Sequence, residues 1–407
     1  MTGGLLTGVR VSEVLFMGAL FLLMVLLGAA EYAYHEKNLR SIPIRIHVNG
    51  TRGKSSVTRL IAAGLREGGI RTFAKTTGTL PRMIIHDGTE YPVYRQSKPN
   101  IIEQVRIIAF AARNRAEALV IECMAIQPYL QSLCELKLVR STHGVITNVR
   151  EDHLDMMGPG ERDVALALLG TTPPGRELFT CERDYSPEFE TVCRERGARL
   201  VVVSDAEMRS VSDRDLREFR YVEHRDNVAL ALKVCRAVGV PDDVALRGMK
   251  KAEPDAGAMS DLKLDFFGRR IHFVNGFAAN DPESTGMIWR MALEKHPDVQ
   301  RRIMIINSRI DRPDRSRQIG EALASWERAD RYVLIGSGSY FLVRYAVKAG
   351  IDARLFTNAE DLETEVIFEE VLKYCKKSTL VMGIGNIAGP GLELITYFRN
   401  RSEDMPV

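Results

Sequence analysis

The stretch "HVNGTRGKSSVTRL", His47 to Leu60, sets two glycines, a lysine and two serine hydroxyls where they could cradle a phosphate chain. Chemistry on a nucleoside triphosphate needs backbone N–H groups aimed at phosphate oxygens, a lysine for the terminal phosphates and a hydroxyl for magnesium. Asn49, Gly50, Thr51, Arg52 and Gly53 supply the turn, and Lys54, Ser55 and Ser56 follow it. In the common form of such a loop, G-x-x-x-x-G-K-[ST], the first glycine lies five places before the second. Counting back from Gly53, that place holds Val48, and the nearest glycine is Gly50. The loop is shortened, and an ordinary tight turn is the rival reading of the same letters.

Two more groups of residues could complete such a site. Glu122 closes the run "AEALVIEC". A carboxylate at the C-terminal end of a buried strand lies at the sheet edge where open α/β folds bind ligands. Magnesium on nucleotide phosphates takes one or two carboxylates plus water. Downstream, "TNVREDHLDMMG" puts Asn148, Asp152, His153 and Asp155 within eight residues. A histidine between carboxylates just past a strand end is a candidate for a second metal or substrate contact. A D-x-x-D turn can also be no more than a cap.

These residues need a sheet to hold them. "IRIHV" reads as a strand before the loop, and "SSVTRLIAAGLREG" as an amphipathic helix after it, ending at glycine. "EALVIE", "HGVITN" and "LVVVSD" continue a strand series, each closing on a polar residue. A second series starts near residue 268 with "RRIHFVNGFA", "RIMIINS", "RYVLIGSGS" and "TLVMGIGN". Helical stretches such as "RSRQIGEALASWERA" and "DLETEVIFEEVLKYC" intervene. Alternation of this kind specifies α/β architecture with mostly parallel sheets covered on both faces. "KKAEPDAGAMS", residues 250–260, is the expected hinge.

The bulk numbers narrow the class. A chain of 407 residues holds about two or three domains at roughly 100–200 residues each. A net charge of +3, with no arginine-rich arm and no zinc spacing, gives no ground for nucleic acid binding. None of the six cysteines forms a C-x-x-C pair, so reduced thiols are expected. One segment departs from the soluble pattern. "VLFMGALFLLMVLLGAA", Val14 to Ala30, is uncharged and almost wholly apolar. It reaches the short end of a membrane span, about 17–25 residues. Tyr32 and Tyr34 could anchor it at the interface, and Lys37, Arg40 and Arg45 follow, against Arg10 alone before it. That bias keeps the large C-terminal part in the cytoplasm. A signal peptide and a buried core helix are the other readings. "EYAYHEKNLRS" then reads as a helical or flexible connector.

The ordered set G-T-x-G-K-[ST], a strand-end glutamate, then N-x-x-x-D-H-L-D resembles the Mur ligase superfamily, whose loop has this shortened form. "KTTGT", "PNIIEQ", "IECMAIQP", "DNVALAL", "VNGFAANDPEST" and "MGIGNIAGPG" make the chain similar to the ligase subunits of poly-γ-glutamate synthases, the CapB/PgsB type. That likeness runs from about residue 40 to about 395. It implies a membrane anchor and connector over 1–40, a central ATP-binding domain over 41–255 with a mostly parallel sheet, and a Rossmann-like α/β ligase domain over 256–407. It also implies an ATP- and Mg²⁺-dependent ligase that activates a glutamate γ-carboxylate as an acyl phosphate and passes it to an amine. Lys54 and the loop amides would bind the phosphates, Ser55 and Glu122 one magnesium ion, and His153 a second. Asn227 would contact adenine, an N-cap being its plain alternative. Asn280 and Asp281 would meet the acceptor, and Arg309, Asp311 and Arg312 would suit a carboxylate-rich substrate. Glutamate and its polymer, a lipid bilayer, membrane partner subunits and a second copy of the chain are the implied partners.

The departures from the superfamily pattern are as informative. Many Mur ligases place a carbamylated lysine soon after the D-H-x-D block, but this chain has no lysine between Lys137 and Lys233. "EPDAGAM" lacks the arginine, and "GFAAN" the lysine, of the peptidoglycan enzymes. Lys75 or the C-terminal arginines would then have to meet the transition-state charge. Two rivals stay open: a folylpolyglutamate-type ligase, which would share the ATP chemistry, and a membrane-tethered nucleotide switch.

Overall fold

Short aliphatic runs buried on both faces build the first sheet of the computed structural model, which describes residues 11–77, 81–95, 99–219, 221, 223–254, 259–277, 279 and 281–402. The chain divides into two compact units, one of residues up to Ser210 with Arg225–Ala252, the other of Val211–His224 with Glu253 onward. The unit boundary near 253 falls inside the expected hinge. The return of Val211–His224 to the second unit departs from the contiguous domains read from the sequence.

The first unit opens with a helix, α1 (Val11–Ser41), about 46 Å long at 1.5 Å per residue. From Val14 to Leu27 its large apolar side chains are exposed, and by length and composition it can cross a membrane. The connector is helical. His35, Asn38 and Leu39 are buried, and Leu39 and Ile42 pack with Phe73, Ile107 and Ile108 in one core cluster. Arg45 ends the helix by donating to the carbonyls of Leu39 at 2.9 Å and Ile42 at 2.6 Å. A cation there satisfies the last carbonyls and faces the negative end of the helix dipole.

Eight strands follow: β1 (Ile44–Asn49), β2 (Thr72–Lys75), β3 (Arg82–Ile84), β4 (Glu90–Pro92), β5 (Ala118–Glu122), β6 (His143–Ile146), β7 (Glu177–Thr180) and β8 (Arg199–Val202). Their order is β4-β3-β2-β5-β1-β6-β7-β8. The ladders from β2 to β8 are parallel, and only the β2–β3–β4 edge is antiparallel. The β2, β3 and β4 strands escape the sequence reading: each is three or four residues long and none carries the unbroken aliphatic run that marks β6 and β8. Helix α2 (Lys54–Glu67) carries the chain from β1 to β2, and α3 (Glu103–Arg113) precedes β5. Helices α4 (Arg225–Ala237) and α5 (Asp242–Lys250) pack on α2. The chain therefore leaves β1 toward β2 and leaves β5 toward β6, on opposite sides of β1. That reversal opens a crevice at the C-terminal ends of adjacent strands, where such sheets bind ligands.

The second unit is a six-stranded sheet of β9 (Asp261–Phe266), β10 (Arg269–Asn275), β11 (Arg301–Ser308), β12 (Arg331–Gly336), β13 (Phe356–Asn358) and β14 (Ser378–Gly385). The order is β13-β12-β11-β14-β10-β9, parallel except for the edge strand β9. Strand β9 lies before the expected start near 268, although Leu262 and Leu264 alternate toward the core as a half-buried strand requires. Helix α6 (Pro282–Lys295) covers one face, with Trp289, Ala292 and Leu293 against Val274. Helix α7 (Pro390–Arg399) covers the other, where Phe398 stacks on Phe273 with ring centroids 3.9 Å apart.

Candidate active site

Gly50 and Gly53 turn the chain from β1 into α2. Gly50 has φ 131°, and a methyl group there would fall 2.0 Å from Thr147 Oγ1. Gly53 has φ 76°, and a methyl group there would fall 2.8 Å from Asn227 Oδ1. Both positions demand glycine, for backbone conformation and for space. The loop rests on the segment after β6. Thr51 N–H donates to Asn148 O at 3.1 Å, Thr51 Oγ1 to Asn148 Oδ1 at 2.7 Å, and Arg52 N–H to that same oxygen at 3.0 Å. Thr147 Oγ1 donates back to Arg52 O at 2.6 Å. The turn is thereby fixed by its own neighbours.

Lys54 Nζ donates to Gly50 O at 2.6 Å and Thr51 O at 3.2 Å, folded back on its own loop. Carbonyl dipoles are weak partners for an ammonium, so an anion in the loop would compete well for it. Ser55 Oγ donates to Glu122 Oε2 at 2.9 Å. The same carboxylate accepts the Thr77 N–H at 2.8 Å and the Thr77 hydroxyl at 2.6 Å. Register explains the meeting: Glu122 lies beside Val48 on β1, and Asn49 beside Ile146 on β6, so three strand ends deliver their residues to one edge. A hydroxyl and a buried carboxylate are hard oxygen donors, the set that suits magnesium. Ser56 follows on α2, partly exposed.

His153 has φ 45° and opens a short helix, Leu154–Met157. Asp152 joins this block to the loop: its Oδ2 is 3.4 Å from Arg52 Nη1, and its Oδ1 is 3.9 Å from His153 Nε2. Asn227 sits inside α4, two places past its first residue, with its amide against Gly53. It is not an N-cap. The loop residues, Glu122, the 147–153 segment and Asn227 thus share one edge of the first unit.

Other expectations need correction. Asn49 points into the protein, donating to Gln131 Oε1 at 2.7 Å and Thr171 Oγ1 at 3.2 Å. It braces the sheet and is not turned to the Gly50–Ser56 loop. Lys75 is fully buried and paired with Glu103 at 2.7 Å, which Arg95 also holds at 2.6 Å. Burial depresses the Lys75 pKa more than Glu103 and Glu122 raise it. Burial also opposes the charge on Glu103, but Arg95 and Lys75 prevail and hold it below the ordinary carboxylate range. Lys75 is a spoken-for ammonium at the strand edge.

In the second unit, Asp281 caps α6 by accepting Ser284 N–H at 2.8 Å. Arg309 makes a two-pronged pair with Asp311, at 2.9 and 2.6 Å, and both are exposed, as is Arg312 at the start of the next helix. Asn280 lies outside the described residues. The sequence reading missed Thr77 and Glu103, which sit far along the chain from Glu122 and Lys75. It also missed Glu182, a buried carboxylate just past β7 that accepts Val149 N–H at 2.8 Å. A strand ending on an acid, as in "ELFTCE", was the available signal.

The chain is similar to proteins already known. The family model of the poly-gamma-glutamate synthase CapB C-terminal domain matches residues 262–401, and that of the Mur ligase middle domain matches residues 48–233. The chain is 38% identical over 387 residues to the capsule biosynthesis protein CapB of Bacillus anthracis, across 95% of this chain and 82% of that one. It is 37% identical over 374 residues to the PGA synthase CapB of Bacillus subtilis (strain 168), across 91% and 94%. Among solved structures, a bifunctional folylpolyglutamate synthase/dihydrofolate synthase of Yersinia pestis, complexed with AMPPNP and Mn ion, superposes with TM-score 0.68 at 14% identity, over 90% of this chain and 92% of that one. A folylpolyglutamate synthase of Thermotoga maritima gives 0.60 at 16%, over 95% and 96%. At such identities the likeness is one of fold. With relatives of this identity along almost its whole length, the chain belongs to the CapB family of poly-γ-glutamate synthases, ATP-dependent amide ligases with a Mur ligase middle domain.

Proposed function

We propose that this chain joins glutamate units through their γ-carboxylates, with ATP bound at the Gly50–Ser56 loop. The observation that carries this reading is the meeting of Ser55, Glu122 and Thr77 beside a loop braced by Thr147 and Asn148. Lys54 would exchange two carbonyls for phosphate oxygens and neutralise charge as the γ-carboxylate is phosphorylated. Both reactants are anionic, so a cation there also lowers their mutual repulsion. Ser55 and Glu122 would hold a magnesium ion, with His153 as the candidate for a second. Bound magnesium supplies charge neutralisation and orientation of the phosphates. The loop N–H groups orient the phosphate chain, and Asn227, packed on Gly53, stands where a base could be read.

In the second unit, Arg309 and Arg312 are the candidates for gripping a carboxylate-rich acceptor, with Asp311 between them in sequence and Asn280 and Asp281 as further candidates. Arg309 would have to exchange Asp311 for substrate. Lys75 is a reserve cation that reaches substrate only by leaving Glu103. Helix α1 would cross the bilayer once, with the catalytic units in the cytoplasm. The polymer would then form at the membrane, where partner subunits could export it, and the chain itself could pair with a second copy.

The test is ADP release by membranes carrying this chain, with and without glutamate. ADP release should require glutamate, and Lys54→Ala should reduce it by about a hundredfold or more. Glutamate-independent release of equal size would point to a nucleotide switch.

A further inference from the structure

In the second unit, three donor side chains converge. Asp261 is the first residue of β9, and His272 lies on β10. In the antiparallel register Asp261 faces Val274 and Lys263 faces His272. Asp261 and His272 are therefore diagonal neighbours on the sheet face that carries Val274, the face covered by α6. His296 follows α6 four places after Ala292 and three after Leu293, both of which pack on that face, so it descends on the same side. The donor atoms of the three side chains all lie within 4.8 Å of one another. His296 Nε2 is 2.7 Å from Asp261 Oδ2, and the two imidazoles overlap with centroids 4.0 Å apart.

The plain reading is a hydrogen-bonded triad neutralised by Lys295, whose Nζ lies 2.8 Å from the same Asp261 oxygen. That reading leaves the second imidazole without a purpose, since one ammonium already balances the carboxylate. It also sets a mostly exposed lysine side chain, 61% accessible, beside an aspartate and a histidine that are only 10% and 11% accessible. Lys295 can swing into solvent while the other three stay in place. Two imidazole nitrogens and one carboxylate oxygen are the donor set of a zinc-class ion that keeps a fourth position for water.

We propose that Asp261, His272 and His296 bind a divalent cation of the zinc class, tying the first residue of β9 to the end of α6. Bonds of about 2.0–2.2 Å set the donors about 3.4 Å apart: the outlying donors close in from within 4.8 Å, and the 2.7 Å His296–Asp261 contact opens as Lys295 departs, any proton on the ligating nitrogen passing to the other ring nitrogen or to solvent. The ion would fix both ends of the segment from Asp261 to His296 and so brace the edge of the sheet. It is separate from the Ser55–Glu122 donors in residues and in chemistry, being nitrogen-rich where they are all oxygen.

The experiment uses the full-length chain freed of metal, with Mg²⁺ in excess to occupy hard-oxygen sites, and titrates Co²⁺ as a spectroscopic probe. One equivalent should give the visible absorption of a low-symmetry nitrogen–oxygen site, and Zn²⁺ should displace it. Losing an outer partner costs about 10–100-fold in metal affinity, so loss of a ligand in His272→Gln or His296→Gln should weaken binding by at least the upper figure. Lys295→Ala should tighten binding, because it removes the competing cation; a purely structural triad predicts no such gain. Zn²⁺ should raise the thermal midpoint of the parent but not of His272→Gln. No cobalt band, or a band unchanged in both histidine variants, would overturn the proposal and leave a hydrogen-bonded triad only. Should one variant fail to fold, the other and Lys295→Ala decide the matter.

Discussion

Glu122 depends on neighbours that hold it at the strand end. Its two oxygens meet Ser55 and both polar groups of Thr77, so it is a buried carboxylate with its lone pairs aimed. Thr77→Val should cost about 1.5–3 kcal/mol of stability, the usual worth of a hydrogen bond to a charged group, and should raise the Mg²⁺ concentration needed for turnover. Glu122→Gln should leave the fold intact and depress turnover far more. Denaturation midpoints and ADP release against Mg²⁺ concentration check both; equal activity of the two variants would deny Glu122 a metal role. That Gly50, Gly53, Lys54, Ser55 and Glu122 would lie together at one strand edge was legible because a loop motif and a strand-end acid are local patterns. Thr77 was not, because its contact with Glu122 spans 45 positions and exists only once β2 lies beside β5. Asn49 was misread for a related reason. The motif includes it, but strand alternation turns its side chain inward to Gln131.

At the scale of elements, unbroken aliphatic runs declared themselves, even four-residue ones such as β6, and mixed short runs such as β3 and β4 did not. Helix α2 and the strands β1, β5, β6, β10, β11, β12 and β14 follow from aliphatic runs closed by polar or glycine residues. The π-helical turn Cys134–Val139 had no signal, because it is shaped by a buried contact. His47 on β1 meets Glu135 of that turn at 2.8 Å, with both side chains fully buried. Burial disfavours the imidazolium, but Cys123 and Glu135 outweigh it and raise its pKa to about 10. A raised folded pKa means stability that is fully present below the unfolded value of about 6.5 and lost as pH climbs through about 10. Denaturant midpoints should therefore fall between pH 7 and 10 in the parent and fall less in His47→Asn, compared at matched buffer. A parent profile as flat as the variant's would show His47 to be neutral.

For the molecule as a whole, α1 joins two environments in one continuous helix: apolar side chains exposed to Leu27, then Leu39, with Ile42 just beyond its end, sunk in the core. The apolar first half was legible as a long uncharged run and the second was left open, because burial of Leu39 depends on Phe73, Ile107 and Ile108. Deleting residues 1–30 should release the chain from membranes with little change in the stability of the first unit. Extending the deletion through Ile42 should destabilise that unit by at least about 4 kcal/mol, since buried aliphatic side chains are worth about 2–5 each. Fractionation and denaturation of the two truncations read these outcomes. The central claim is that a glutamate γ-carboxylate is activated at the Lys54 loop. Its most direct test supplies membranes carrying the chain with Mg·ATP and glutamate labelled with oxygen-18 in the γ-carboxylate. The account predicts label in the released phosphate, lost in Lys54→Ala. Phosphate released without label, in amounts indifferent to glutamate, would contradict it.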